Sequence, residues 1–383
     1  MCVAQGVGVR MKRHLAQMPC QRTLFWDYFF EYAGDIVLCD LATMRGTFRA
    51  EQRVMVPRIE LSDHAGQTFM PNYIIRTVKD AHDVVFRFPE RLPLCMEFSG
   101  VCPAHHVTRH PVFPTPKREL PFGLEDKPRE RDREGVRMGA CTWLGELIID
   151  VDLDDTSYNR RNLCSCAGMK KCCDTCWALF MSPAMQVLEF LLRDVFEFKA
   201  YFFVFSGRRG FHCWIIDKQV VMWTIAQRKA FIEKVSRLYE DDTPIADAVY
   251  QMLEPIFDGF APLQKRNANV AKRAAVFKEL YPKFDCVVTS DTTHNHKLPL
   301  MIHPATGNVC VTIPNVSEFV PSRERYKQGD ISEATMLRWL EPIVQALDVA
   351  YGEKEQEESD EEEESEKTRN ARIRRECWEI PEL

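Results

Sequence analysis

The stretch Phe203–Asp217, "FVFSGRRGFHCWIID", sets Arg208 and Arg209 between two glycines, with apolar runs on either side and His212 just beyond. The flanks "YFFVFS" (201–206) and "FHCWIID" (211–217) are aromatic and β-branched and read as strands. Gly207 and Gly210 then read as a tight turn, so the segment folds back as a hairpin. Such a turn lets a ligand approach the backbone closely. Ser206 and the backbone N–H groups can donate to phosphate, and two guanidinium forks suit phosphate oxygens. His212 opens the returning strand and can reach the same place. The plainer alternative is a surface hairpin tip with solvated arginines.

Upstream, "GELIIDVDLDD" (145–155) has a strand's period of two. Leu147, Ile149, Val151 and Leu153 face one way; Glu146, Ile148, Asp150 and Asp152 face the other. Asp150 and Asp152 therefore project together, and paired carboxylates repel unless a cation lies between them. Mg²⁺ or Mn²⁺ suits such a pair when substrate phosphates complete the shell. The alternative is the solvent face of an amphipathic strand. Asp154 and Asp155 read as loop residues.

Between these segments lies "CSCAGMKKCCDTC", with Cys164, Cys166, Cys172, Cys173 and Cys176. Clustering argues for metal binding rather than scattered disulfides, and no signal peptide is evident, so a reducing compartment is expected. Cys173-x-x-Cys176 is half of a zinc site, and Cys164-x-Cys166 could close it, with Cys172 as a possible substitute. Such a closed site is structural. A redox C-x-x-C is the alternative.

The net charge of −6 conceals an asymmetry. Residues 353–366 carry ten acids and one lysine, a net of −9, so the remainder is about −6 + 9 = +3. The acidic run reads as a solvated tail that does not fold alone. Residues 111–137 are proline-rich and charged, and read as a surface loop. The first 26 residues hold no acid; "TLFWDYFFEYAGD" continues them amphipathically, which favours an N-terminal helix over a transit peptide. No run of about 18 apolar residues suggests a membrane span. "NYIIRTV" (72–78), "VVFRF" (84–88) and "FDCVV" (284–288) read as strands, and "LPLMIHPATGNVCVTI" (298–313) as a hairpin turned at "HPATG". Ser182-Pro183 reads as a helix start, with Leu188, Leu191, Leu192 and Val195 as its apolar stripe. Further helices are expected over about 224–239 and 331–349. Helices mixed with hairpins imply an α/β (mixed α+β) fold with antiparallel or mixed sheets.

In this order the motifs resemble the small catalytic subunit of eukaryotic and archaeal DNA primase. "ELIIDVDLDD" looks like that family's metal-binding strand, "SGRRGFHCW" is nearly its signature, and a cysteine cluster ending in "CW" lies between them. "YPKFDCVVT" resembles the segment with the third carboxylate, Asp285. "HNHKLPLMIHPATG" resembles one with a lysine and a histidine, here Lys297 and His303. "RIEL" and "YIIR" resemble positions near the incoming nucleotide, which implies Glu60 and Arg76. The resemblance implies the primase catalytic fold, mixed sheets flanked by helices with a small zinc-binding module. It also implies synthesis of short RNA primers on single-stranded DNA from ribonucleoside triphosphates. Asp150, Asp152 and Asp285 would hold two Mg²⁺ or Mn²⁺ ions. Ser206, Arg208, Arg209, His212, Lys297, His303, Arg76 and Glu60 would surround the nucleotide. The implied partners are a large subunit with an iron–sulfur cluster and the DNA polymerase alpha complex, in the nucleus, with no membrane. The implied division is an extension over 1–23, a catalytic domain over 24–350 with the zinc module at about 160–180, and an acidic tail over 351–383. Two other functions fit parts of the pattern: a primase-polymerase of damage tolerance or repair, and an inactive zinc-containing nucleic-acid-binding scaffold. The internal cysteine cluster favours primase over the first. The three intact acids favour it over the second.

Overall fold

The computed structural model describes residues 21–45, 55–60, 67–69, 77–86, 95–98, 145–154, 157–158, 160, 163–164, 166, 172–291, 296–322 and 331–352. Two four-stranded sheets organise these residues. The first has the order β2–β1–β3–β7, from Gln67–Phe69, Met55–Glu60, Cys95–Phe98 and His296–Lys297. The second has the order β4–β6–β5–β8, from Leu147–Asp152, Gly210–Ile215, Tyr201–Phe205 and Thr312–Ile313. Every pairing is antiparallel.

Strand β4 obeys the period read from its sequence. Leu147, Ile149 and Val151 are buried on one face, where the register aligns Ile149 with Cys213 and Cys213 with Phe203. The other face carries Ile148, Asp150 and Asp152, aligned with Trp214, His212 and Gly210. That face is apolar at one end, where Trp214 stacks on Phe202, and polar at the other.

The apolar face is covered by a helix, Asp174–Val195. It is long and apolar enough to cross a membrane by composition, but the apolar window is 72% buried within the fold, as a core helix should be. Ser182 does not cap it. The chain is already helical from Asp174, and the cap is Cys173, whose sulfur accepts from the Cys176 N–H. Pro183 sits inside because π-helical turns flank its segment, and the Ser182 N–H bonds back to the Trp177 carbonyl. The wider turn absorbs a proline that an unbroken α-helix would not tolerate.

The helix expected over 224–239 is Ile225–Ser236, closed at its start by a reciprocal Thr224–Gln227 capping box, with Phe231, Ile232 and Val235 buried. The last helix is Glu333–Tyr351, capped by Ser332. The N-terminal aromatics form a helix from Gln21 that continues in π-helical turns to Leu41 and buries Phe25, Trp26 and Phe29.

Two expected strands are helices. "VVFRF" is entered by the helix Val78–Phe86, whose Ala81, Val84 and Val85 make a buried stripe at helical spacing. Thr77 and Asp80 cap it reciprocally. "FDCVV" gives the short helix Cys286–Ser290, capped by Asp285, whose Oδ1 accepts from the Val288 N–H at 2.9 Å. In both, local capping overrides β-branched composition. Most of "NYIIRTV", the loop 111–137, Asp155, the extension over 1–20 and the tail beyond 352 lie outside the described residues.

Candidate active site

The two glycines of the hairpin turn have separate reasons. Gly207 has φ +82°, and a Cβ there would lie 2.8 Å from the His303 Cβ. Gly210 lies against β4, where a Cβ would stand 2.2 Å from the Val151 carbonyl oxygen. The turn is thus pressed between the DxD strand and the 298–313 hairpin, not exposed as a free tip.

The turn's carbonyls are held from the hairpin side. Lys297 Nζ donates to the Ser206 carbonyl at 3.1 Å, and Cys310 Sγ donates to the same oxygen at 3.2 Å. Thr306 Oγ1 and Asn308 Nδ2 donate to the Gly207 carbonyl at 2.9 and 2.8 Å. Ser206 Oγ accepts from the Gly210 N–H at 3.1 Å, so its own hydrogen remains to be donated. The expected hairpin exists: His303 N–H donates to the Asn308 carbonyl at 2.7 Å, and Ile302 bridges Val309.

The three acids converge. Asp150 and Asp152 share a face of β4, and the Asp285 N–H donates to the Asp150 carbonyl at 3.0 Å. Asp285 arrives on the cap of a short helix packed against β4 rather than on a strand. Burial, then the charges of Asp152 and Asp285, push the Asp150 carboxyl up to about 7, with Lys297 opposing. Asp150 Oδ1 lies 3.8 Å from His212 Nε2. A buried carboxylate with two others beside it favours a cation among them. Their oxygens suit Mg²⁺ or Mn²⁺.

Arg209 meets one of these acids. Its Nε and Nη2 form a fork on Asp152 at 2.8 and 2.6 Å. Those hydrogen bonds hold its guanidinium firmly charged, while the charge of Arg160 opposes from further away. Arg208, Lys297, His212 and His303 form a separate cationic group: after burial, the charges of the other three drive His303 down to about 3. His303 Nδ1 accepts from the Ala305 N–H at 3.1 Å, which leaves the proton of the neutral ring on Nε2 as a donor.

Of the expected site residues, Asp150, Asp152, Asp285, Ser206, Arg208, Arg209, His212, Lys297 and His303 come together. Arg76 lies outside the described residues, and only the backbone of Glu60, the last residue of β1, is described. Sequence reading missed Thr306 and Asn308, because nothing local announces what a turn's polar side chains will hold. It also missed Glu97, a buried carboxylate placed opposite Lys297 in the register of β3 and β7.

The sulfurs of Cys164, Cys166, Cys173 and Cys176 lie within 4.8 Å of one another, and Cys172 instead donates to the Cys173 carbonyl. Cys164 Sγ is 3.1 Å from Cys166 Sγ and 2.8 Å from Cys176 Sγ. A tetrahedral zinc site with Zn–S of about 2.3 Å spaces its sulfurs about 3.8 Å apart, so this set fits one with slight expansion. Burial, then contacts with Cys164 and Cys166, push the Cys176 thiol far up, so its thiolate needs a cation.

A sequence model of the family described as DNA primase small subunit matches residues 149–313. That span holds the acids, the glycine turn, the cysteines and the 298–313 hairpin. Over that span the chain is similar to the DNA primase small-subunit family. The DNA primase small subunit of Saccharomyces cerevisiae is 28% identical, aligned over 57% of this chain and 70% of that protein. That of Caenorhabditis elegans is also 28% identical, over 46% of this chain and 62% of that protein. The archaeal DNA primase small subunit PriS of Methanosarcina acetivorans is 30% identical over 105 residues, 27% of this chain and 23% of that protein.

Proposed function

We propose that this chain synthesises short RNA primers on single-stranded DNA for replication, by two-metal nucleotidyl transfer. The observation that carries the reading is the convergence of Asp150, Asp152 and Asp285 beside a turn lined by Ser206, Arg208, His212, Lys297 and His303. Acids for divalent cations stand next to donors for a triphosphate, as phosphoryl transfer requires. Asp150, Asp152 and Asp285 would hold two divalent ions, which when bound would supply Lewis-acid activation of the primer's 3′-hydroxyl and charge neutralisation for the leaving pyrophosphate. The chain's own groups do the rest. The Gly207 carbonyl is held back by Thr306 and Asn308, so the turn presents its donors in a fixed geometry. His303 donates Nε2–H without bringing a charge, and Lys297 brings one. Arg209 holds Asp152 through its fork, so divalent ions taken up by the acids would compete with it for that carboxylate. The cysteine cluster holds zinc with all four positions closed, so it acts on structure and not on chemistry. A nuclear location and assembly with a primase large subunit bearing an iron–sulfur cluster, and with DNA polymerase alpha, belong to the same proposal.

The test is extension of a short primer on a poly-pyrimidine template with labelled ribonucleotides and Mg²⁺ or Mn²⁺. Wild type should incorporate, with ribonucleotides preferred over deoxyribonucleotides, and the double variant Asp150→Ala/Asp152→Ala should not. Equal incorporation by both proteins removes these carboxylates from the mechanism. A preference for deoxyribonucleotides points instead to a primase-polymerase.

A further inference from the structure

Two arginines are buried among the described residues, and they do different things. Arg228 donates to the carbonyls of Trp223, Glu146 and Gly145, an ordinary structural role that fixes the entry to β4. Arg160 is fully buried, and its Nη1 donates to Cys166 Sγ at 3.2 Å. Its segment is anchored nearby: the Tyr158 hydroxyl accepts from the Lys283 N–H at 3.0 Å, two residues before Asp285. The charge of Arg160 also reaches Arg209. Arg160 therefore touches the cysteine cluster directly, and its charge is felt as far as Arg209.

We propose that Arg160 is the hydrogen-bond donor and counter-charge of a metal–thiolate centre formed by Cys164, Cys166, Cys173 and Cys176. This rests on the reading of that cluster as a zinc site. Four thiolates around a divalent cation carry a net charge of −2, and a buried charge of that size needs compensation. A guanidinium pointing at one sulfur supplies half of it and draws electron density from the thiolate. Neutral thiols would offer the buried guanidinium no such return, so the arginine and the metal favour each other. Arg160 is a positioning residue: it touches a ligand of the metal, not the reacting atoms.

The experiment uses the full chain as wild type, Arg160→Met, Arg160→Lys and, as a buried-arginine control, Arg228→Met. Zinc content is measured by mass spectrometry, and zinc affinity by competition with a chelator of known strength. Arg160→Met should lower zinc affinity about 10- to 100-fold, the usual cost of removing a partner of a metal ligand. Arg160→Lys should fall between, and Arg228→Met should leave affinity within about twofold while lowering stability. In cobalt-substituted protein, Arg160→Met should move the sulfur-to-metal charge-transfer band to lower energy, because the thiolate loses its hydrogen bond. Wild-type affinity and an unmoved band in Arg160→Met overturn the proposal, as does an equal affinity loss in Arg228→Met. If Arg160→Met does not fold, the cobalt band of Arg160→Lys decides: unmoved, it overturns the proposal; shifted, it supports it. A wild-type protein that holds no zinc fails the metal reading itself, and this inference with it.

Discussion

Replacing Asp150 with asparagine should stabilise the protein when magnesium and manganese are absent. The Asp150 carboxyl is pushed from 3.8 up to about 7 by burial and by the charges of Asp152 and Asp285. Between those two values the folded chain holds a proton that the unfolded chain has released. Stability therefore falls as pH rises through this window, and the loss is complete above about pH 7. A shift of about three units corresponds to about 4 kcal/mol at most. The side chain is 26% exposed, and solvent screening brings the expected figure to about 2 kcal/mol. The assay is urea unfolding of protein dialysed free of magnesium and manganese. At about pH 8, Asp150→Asn should exceed wild type by about 2 kcal/mol, and the gap should close as pH falls toward about 4. His212, 3.8 Å away, is present in both proteins. Adding Mn²⁺ should then raise wild type and leave the variant behind, reversing the order. A variant less stable than wild type at high pH without metal, or a gap independent of pH, would refute the argument that these carboxylates are held against their mutual repulsion.

Arg209→Gln should tighten Mn²⁺ binding several-fold, up to about tenfold, because the ion no longer displaces a forked ion pair from Asp152; the same variant should raise KM for the incoming ribonucleotide. Electron paramagnetic titration of free Mn²⁺ reads the first effect and primer extension the second, and weaker Mn²⁺ binding would contradict it. Asn308→Ala releases one of two donors on the Gly207 carbonyl, a loss of about 1 kcal/mol that should lower the urea midpoint modestly, and should raise the ribonucleotide KM up to about tenfold. An unchanged KM would show that Thr306 alone suffices. Gly210→Ala puts a methyl 2.2 Å from the Val151 oxygen and should destabilise by about 3 kcal/mol or more in urea unfolding. A near-neutral result would mean that the two strands separate at little cost.

The second sheet was legible because its strands carry two-residue alternation and its turn is marked by glycines. Asp150 and Asp152 were legible for the same reason: periodicity alone puts both on one face. Asp285 was found by resemblance, and its local structure was misread. Val287 and Val288 favour a strand by composition, but Asp285 offers a cap, and the helix it starts packs on β4. The same competition misplaced Val84 and Val85. Ser182-Pro183 misled in another way, because a proline marks a helix start only when no wider turn upstream can absorb it.

What stayed hidden depends on contacts distant in the sequence. Arg208 and Arg209 are adjacent and chemically identical, yet one sits with the cationic group around His303 and the other forks onto Asp152, 57 residues away. Nothing in "SGRRG" separates them. The separation comes from Gly210: its lack of a Cβ brings this end of the turn against β4, within reach of Asp152. Gly207, at the other end, packs against the hairpin that carries His303. The two glycines therefore divide the arginines between the side of Asp152 and the side of Lys297 and His303. Ser206, Gly207 and Gly210 fix the backbone between them, so both arginines are presented from a turn that is organised before any ligand binds.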